Sequence, residues 1–204
     1  MRIASRLSIA ATALISVSLF CWPLFIQAGT QAGLAQGAFI IVMPMLLALL
    51  FIEYSSGGID ARQLALLGVL TALNSVIRLL GAGAAGIETA FFLIVIGAYV
   101  FGSSFGFLLG STSLLVSALI SGGVGPWLPF QMMAAGLVGL GAGLIPKVRF
   151  ERLALIIYAI FASFAYGALM TLWNWPYLAG VGSDVSYLAG AGVHENIRRF
   201  VSYD

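Results

Sequence analysis

The sequence predicts an all-α protein that crosses a membrane several times, and three observations carry this. Hydrophobic residues make up 61% of the chain, charged residues only 8%, and the mean hydropathy is +1.08, far from the values of water-soluble domains. The charges are segregated: no Asp, Glu, Lys or Arg lies between Arg6 and Glu53 (46 residues), Arg62 and Arg78 (15), Glu88 and Lys147 (58), or Arg152 and Asp184 (31). Turn chemistry divides the longest of these gaps, at "FGSS" near 101 and "SGGVGP" near 121.

A bilayer span needs about 20 apolar residues. The first gap therefore holds two helices, roughly 7–27 and 36–52, turning at "AGTQAG". The second holds one at roughly 62–81, and the fourth one at roughly 152–173. The 58-residue gap is long for two helices and tight for three, and its turns favour three, at roughly 88–101, 103–121 and 127–145. Loops rich in Lys and Arg stay on the cytoplasmic side. With Arg2 and Arg6 inside, seven crossings also put Arg62, Lys147, Arg149 and Arg152 inside, six of the nine basic residues. Two helices in the long gap would invert that bias.

"MRIASR" followed by an apolar run also fits a secretory signal peptide. The run from Leu7 to Ile26 is long for such a segment, and no small-x-small cleavage site follows it, so it is read as a span. The lone Cys21 excludes an intrachain disulfide and gives no redox compartment. One membrane domain results, with residues 1–54 an appended helix pair and 55–204 the core. The expected location is the plasma membrane, with the N-terminus cytoplasmic.

Small residues recur in three stripes, and membrane helices associate through such close backbone contact. Gly102, Gly106 and Gly110 form one, Ala135, Gly139 and Gly143 another, and both read as internal packing. Ala61, Ala65, Gly68, Ala72 and Ser75 form the third. It starts at the cytoplasmic end beside Arg62, where a partner subunit can dock, so docking and internal packing stay open for it.

Polar and aromatic residues gather on the other side. Asn74 and Arg78 are four apart on one helix face, Glu88 follows, Trp127 and Gln131 open the sixth span, and Trp173, Asn174, Trp175 and Tyr177 end the seventh. Taken singly, each fits a snorkelling or interfacial role. Arg78 within an apolar helix costs a few kcal/mol unless it meets a partner or a wet cavity. The convergence predicts an external pocket for a flat polar organic molecule. There is no Walker A, HExxH, CxxC or GxSxG sequence, no metal cluster and no cofactor motif. The single histidine, His194, beside Glu195, reads as a surface residue, and an intramembrane enzyme is not expected.

The stretch "GGVGPWLPFQ" followed by "AAGLVGLGAG" resembles the substrate-binding (S) components of energy-coupling factor vitamin transporters. "ALLGVLTALNSVIRLLGAGAAGIETAFF" is similar to the first core helix and outer loop of that family, and "LWNWPY" to the outer end of the fifth. The resemblance implies a six-helix core that binds a water-soluble vitamin from outside. It also implies docking on a transmembrane coupling subunit served by two ATPases, and no nucleic-acid partner. The family's docking motif falls on Ala61, Ala65, Gly68 and Ala72, and Gln131 would point into the pocket. A sixth core helix is expected after "NIRRFVSYD", so the chain reads as truncated, with Arg198 and Arg199 capping that helix. A stand-alone secondary transporter or channel, and a non-transporting scaffold, are the alternatives.

Overall fold

The structure is a computed structural model that describes residues 3–21, 31–55, 60–81, 89–178, 186–188 and 190–203. Its elements are α1 (Ile3–Phe20), α2 (Gln31–Ser55), α3 (Ala61–Gly81), α4 (Ala90–Phe101), α5 (Ser103–Ser121), α6 (Leu128–Ala142), α7 (Glu151–Asn174), a 3₁₀ turn (Trp175–Leu178) and α8 (Val193–Tyr203). No strand occurs among the described residues.

Local chemistry sets the boundaries. Asp60 and Gln63 form a reciprocal cap at the start of α3: the Gln63 N–H donates to Asp60 Oδ1 at 2.7 Å, and the Asp60 N–H donates to Gln63 Oε1 at 3.3 Å. Only Gly102 separates α4 from α5, and its φ of 99° turns the chain where a side chain would be strained. Gly122, left-handed at φ 70°, ends α5, and the Gly123 N–H donates to Ala118 O at 2.9 Å.

The contacts fix the direction of each core helix. Along α3 and α5, Thr71 meets Thr112, Ser75 meets Ser113 and Arg78 meets Ser117, so the two run parallel. Between α5 and α6, Gly106 faces Gly139 and Gly110 faces Ala135, so those two run antiparallel. A Cβ on Gly106 would collide with the Gly139 carbonyl, and one on Gly110 with the Ala135 carbonyl. The glycine stripe of α5 and the Ala135 and Gly139 stripe of α6 are therefore internal packing, as expected. Tyr158 donates to Val138 O at 2.6 Å and Trp173 stacks on Phe130, which sets α7 antiparallel to α6. The long uncharged stretch thus holds three alternating helices.

Among the described residues, three helices, α3, α5 and α7, are long and apolar enough to cross a membrane by themselves. The 12 residues of α4 and 15 of α6 reach only about 18 and 22 Å at 1.5 Å per residue, short of a hydrocarbon core of about 30 Å. α6 buries twelve of its residues, so its ends need not meet lipid, whereas α4 buries six and leaves Phe92, Ile96 and Val100 exposed. In contrast, α7 buries only Ala162 and Trp173 and turns Ile156, Ile160, Phe161 and Phe164 outward. The N-terminal pair packs on the core: Phe20 of α1 and Val42, Leu46 and Leu50 of α2 join the same buried cluster as α4, α5 and α6.

Candidate functional site

The buried face of α3 is built by spacing. Leu67, Thr71, Asn74, Ser75 and Arg78 fall on one side of the helix, and the last four are polar. Facing them, α5 supplies Thr112, Ser113 and Ser117. The Thr71 and Thr112 hydroxyls are 2.9 Å apart, Ser75 Oγ donates to Ser113 O at 3.0 Å, and Arg78 Nη1 donates to Ser117 Oγ at 2.9 Å. This polar seam gives Arg78 the partner that a charge at membrane depth requires.

Asn74 is the exception in the seam. It is fully buried, yet neither its amide nitrogen nor its amide oxygen has a hydrogen-bond partner among the described residues. An unpartnered buried amide costs about 1–3 kcal/mol. It leaves donor and acceptor together, the pair that a heterocyclic amide or carboxamide would satisfy.

At the same end of the bundle, Trp127 precedes α6 and lies half-exposed with its ring folded over Gly125, where a Cβ would strike the indole. Gln131, one turn further in, is partly buried, and its backbone N–H donates to Trp127 O at 3.0 Å. Trp173 is buried against Phe130, with centroids 5.3 Å apart, and Phe130 meets Phe20 of α1 edge-on at 5.5 Å. Trp175, two residues on, faces other partners: it is fully buried between Tyr187 and Phe200, at 5.3 and 5.4 Å. Asn174 between them is exposed. Glu88 and the Tyr177 side chain lie outside the described residues. The described candidates thus share one end of the bundle, Asn74 and Arg78 in the seam, Trp173 in the aromatic cluster on α6 and α7, and Trp175 in its own sandwich, with Trp127, Gln131 and Asn174 beside them. A half-open apolar groove of about 260 Å³ between α6 and α7 contains none of them.

Beyond the sandwich, α8 closes this end. Asn196 pins the preceding loop, its amide exchanging two 3.2 Å hydrogen bonds with the Leu188 backbone. Arg199 Nε donates to Glu195 Oε1 at 2.8 Å, and this hydrogen bond holds the Glu195 carboxyl below the usual carboxylate range against a smaller opposing effect of burial.

The opposite face of α3 is bare. Ala61, Ala65, Gly68 and Ala72 are all exposed, and a Cβ on Gly68 would meet nothing within 4 Å. Ser75, grouped with them by spacing, instead turns into the seam. Sequence reasoning missed Thr71, Ser113 and Ser117 of the seam, and Phe20, Phe130, Tyr187 and Phe200 among the aromatics. Only the Thr71, Asn74, Ser75, Arg78 periodicity was available as a signal.

A comparison with curated proteins finds no match, and neither does one with solved structures. One family model, described as "ECF transporter, substrate-specific component", matches residues 62–190, from the start of α3 through the seam and the aromatic ends to the loop before α8. That match covers well over half of the chain, and the protein belongs to the family of membrane-embedded substrate-specific components of ECF transporters.

Proposed function

We propose that the protein is the vitamin-binding subunit of an ATP-driven importer in the plasma membrane, with its N-terminus in the cytoplasm. It captures a water-soluble vitamin or precursor at the outer face, through Asn74, Arg78, Glu88, Trp127, Gln131 and the Trp173–Trp175 segment. It then docks on a transmembrane coupling subunit served by two separate ATPase subunits, which carry out the ATP chemistry.

The two-faced character of α3 carries this reading. One face turns four polar residues inward, among them a buried amide with no partner among the described residues, and the other leaves Ala61, Ala65, Gly68 and Ala72 uncovered. A bound heterocycle would complete the hydrogen bonding of Asn74. A partner helix would lie closely on the small residues, where dispersion and backbone contact drive association in lipid.

Two measurements test the halves separately. Purified protein in nanodiscs, without ATP, is titrated with riboflavin, thiamine and cobalamin; saturable binding of one supports capture, and binding of none overturns it for these three classes. Ala65→Leu combined with Gly68→Leu should abolish copurification with the coupling subunit while leaving that binding unchanged. Retained copurification would make the stripe a lipid-facing surface and remove the docking role.

A further inference from the structure

We infer that α8 is an amphipathic helix lying in the headgroup region of the bilayer that the protein spans, with phospholipid as the partner of its exposed face. The inference does not depend on what the protein carries.

Laid out at about 100° per residue, the eleven residues of α8 divide into three sectors. Asn196, Arg199 and Phe200 face the protein: Asn196 is buried on the Leu188 backbone, Arg199 reaches Ser186 O at 3.4 Å, and Phe200 meets Trp175 edge-on. The remaining arc is exposed and changes character within half a turn. Its first part is apolar, with Val193, Ile197 and Val201 uncovered, Val201 to 71%. Its second part is polar, with His194, Arg198 and Ser202, the Arg198 side chain 76% exposed. A helix in water has no reason to leave its apolar sector open, and a helix crossing the bilayer would not carry Arg198 and Ser202 beside it. An apolar edge and a polar edge flanking a protein-facing side match a helix parallel to the membrane plane, one edge toward acyl chains and the other toward phosphates.

The tether sets the depth. Phe200 packs edge-on against Trp175, directly after the last residue of α7, a helix long and apolar enough to cross a membrane. The last turn of a bilayer-spanning helix reaches the boundary between acyl chains and headgroups, so α8, fastened there through Trp175, lies at that level. There Arg198, which pairs with Glu195 only loosely at 3.9 Å, is exposed enough to reach a lipid phosphate.

The test places single nitroxides at Ile197, Val201, Arg198 and Ser202 in a Cys21→Ser background, in nanodiscs of phosphatidylcholine and phosphatidylglycerol. The ratio of oxygen to nickel-chelate accessibility should be several-fold higher at Ile197 and Val201 than at Arg198 and Ser202. Equal nickel accessibility at all four sites would put the helix in water, and shielding of all four from both agents would put it under protein; either overturns the inference. As a second variant, Val201→Asp should speed amide exchange within α8 several-fold while exchange in α5 stays unchanged. No change in α8 would likewise overturn it.

Discussion

Gly139 and Gly68 are both glycines within apolar helices, yet they should respond in opposite ways to one added methyl group. A Cβ on Gly139 would run into the Gly106 backbone, whereas one on Gly68 meets nothing. Gly139→Ala should therefore destabilise the bundle by about 1–3 kcal/mol, the penalty for overpacking a core. Gly68→Ala should leave stability unchanged or raise it by up to about 1 kcal/mol, through the reduced flexibility of the unfolded helix. Thermal unfolding of the two variants in the same detergent checks both; a destabilised Gly68→Ala would mean that its face is covered by the protein itself. Asn74 calls for a different trade. Removing an unpartnered buried amide relieves a penalty of about 1–3 kcal/mol, so Asn74→Leu should raise the melting temperature while weakening substrate binding. A variant that loses stability instead would show that the amide is satisfied in the apo protein.

At the scale of elements, α5 was legible at both ends because Gly102 and Gly122 mark them in the sequence as well as in space. The end of α6 was not: the predicted helix ran to 145, but the helix stops at Ala142, and the chain continues in tight turns whose N–H groups donate from Leu144 to Gly141 O and from Ile145 to Ala142 O. Pro146 disfavours helical backbone just before it, a constraint that apolar periodicity does not reveal. The polar seam was half-legible. Asn74 and Arg78 stand out in α3, but Ser113 and Ser117 read as small packing residues until the parallel register of α3 and α5 brings them opposite. The Trp175 sandwich was illegible, since Tyr187 and Phe200 lie 12 and 25 residues further along the chain and no periodicity links them to it. The same element has its own pH response. Glu195 is lowered mainly by its hydrogen bond to Arg199, with Arg198, Arg199 and His194 adding favourable charge. A lowered carboxyl stabilises above the ordinary carboxylate range and stops doing so as pH falls through its lowered value. Glu195→Gln should therefore exchange α8 amides faster than the parent at neutral pH, and the difference should vanish once the pH has fallen below the ordinary carboxylate range and the lowered carboxyl is protonated. A difference that persists in acid would assign the effect to packing.

For the whole molecule, sidedness follows from helix directions combined with charge. The parallel α3 and α5, antiparallel α5 and α6, and antiparallel α6 and α7 put Arg78, Ser117, Trp127 and Trp173 at one end. Asp60 and Lys147 are at the other, where Lys147 lies 3.5 Å over the Tyr99 ring and donates to Tyr99 O at 3.1 Å. Arg62, Lys147, Arg149 and Arg152 crowd that second end and Arg78 is the one basic residue of the first among α3 to α7, an asymmetry from which the proposed orientation puts the second end in the cytoplasm. In a Cys21→Ser background, an impermeant thiol reagent on intact cells should label Val124→Cys and Leu188→Cys, and should label Val148→Cys only after permeabilisation. Labelling of Val124→Cys and Val148→Cys from the same side would contradict the antiparallel α5, α6 and α7. Labelling of Val148→Cys alone from outside would keep the bundle but invert it, putting the seam's buried amide toward the cytoplasm, where it could not receive a solute from outside. The relative result tests the fold and the absolute one tests import, because the same bundle binds from either side according to how its basic end is held.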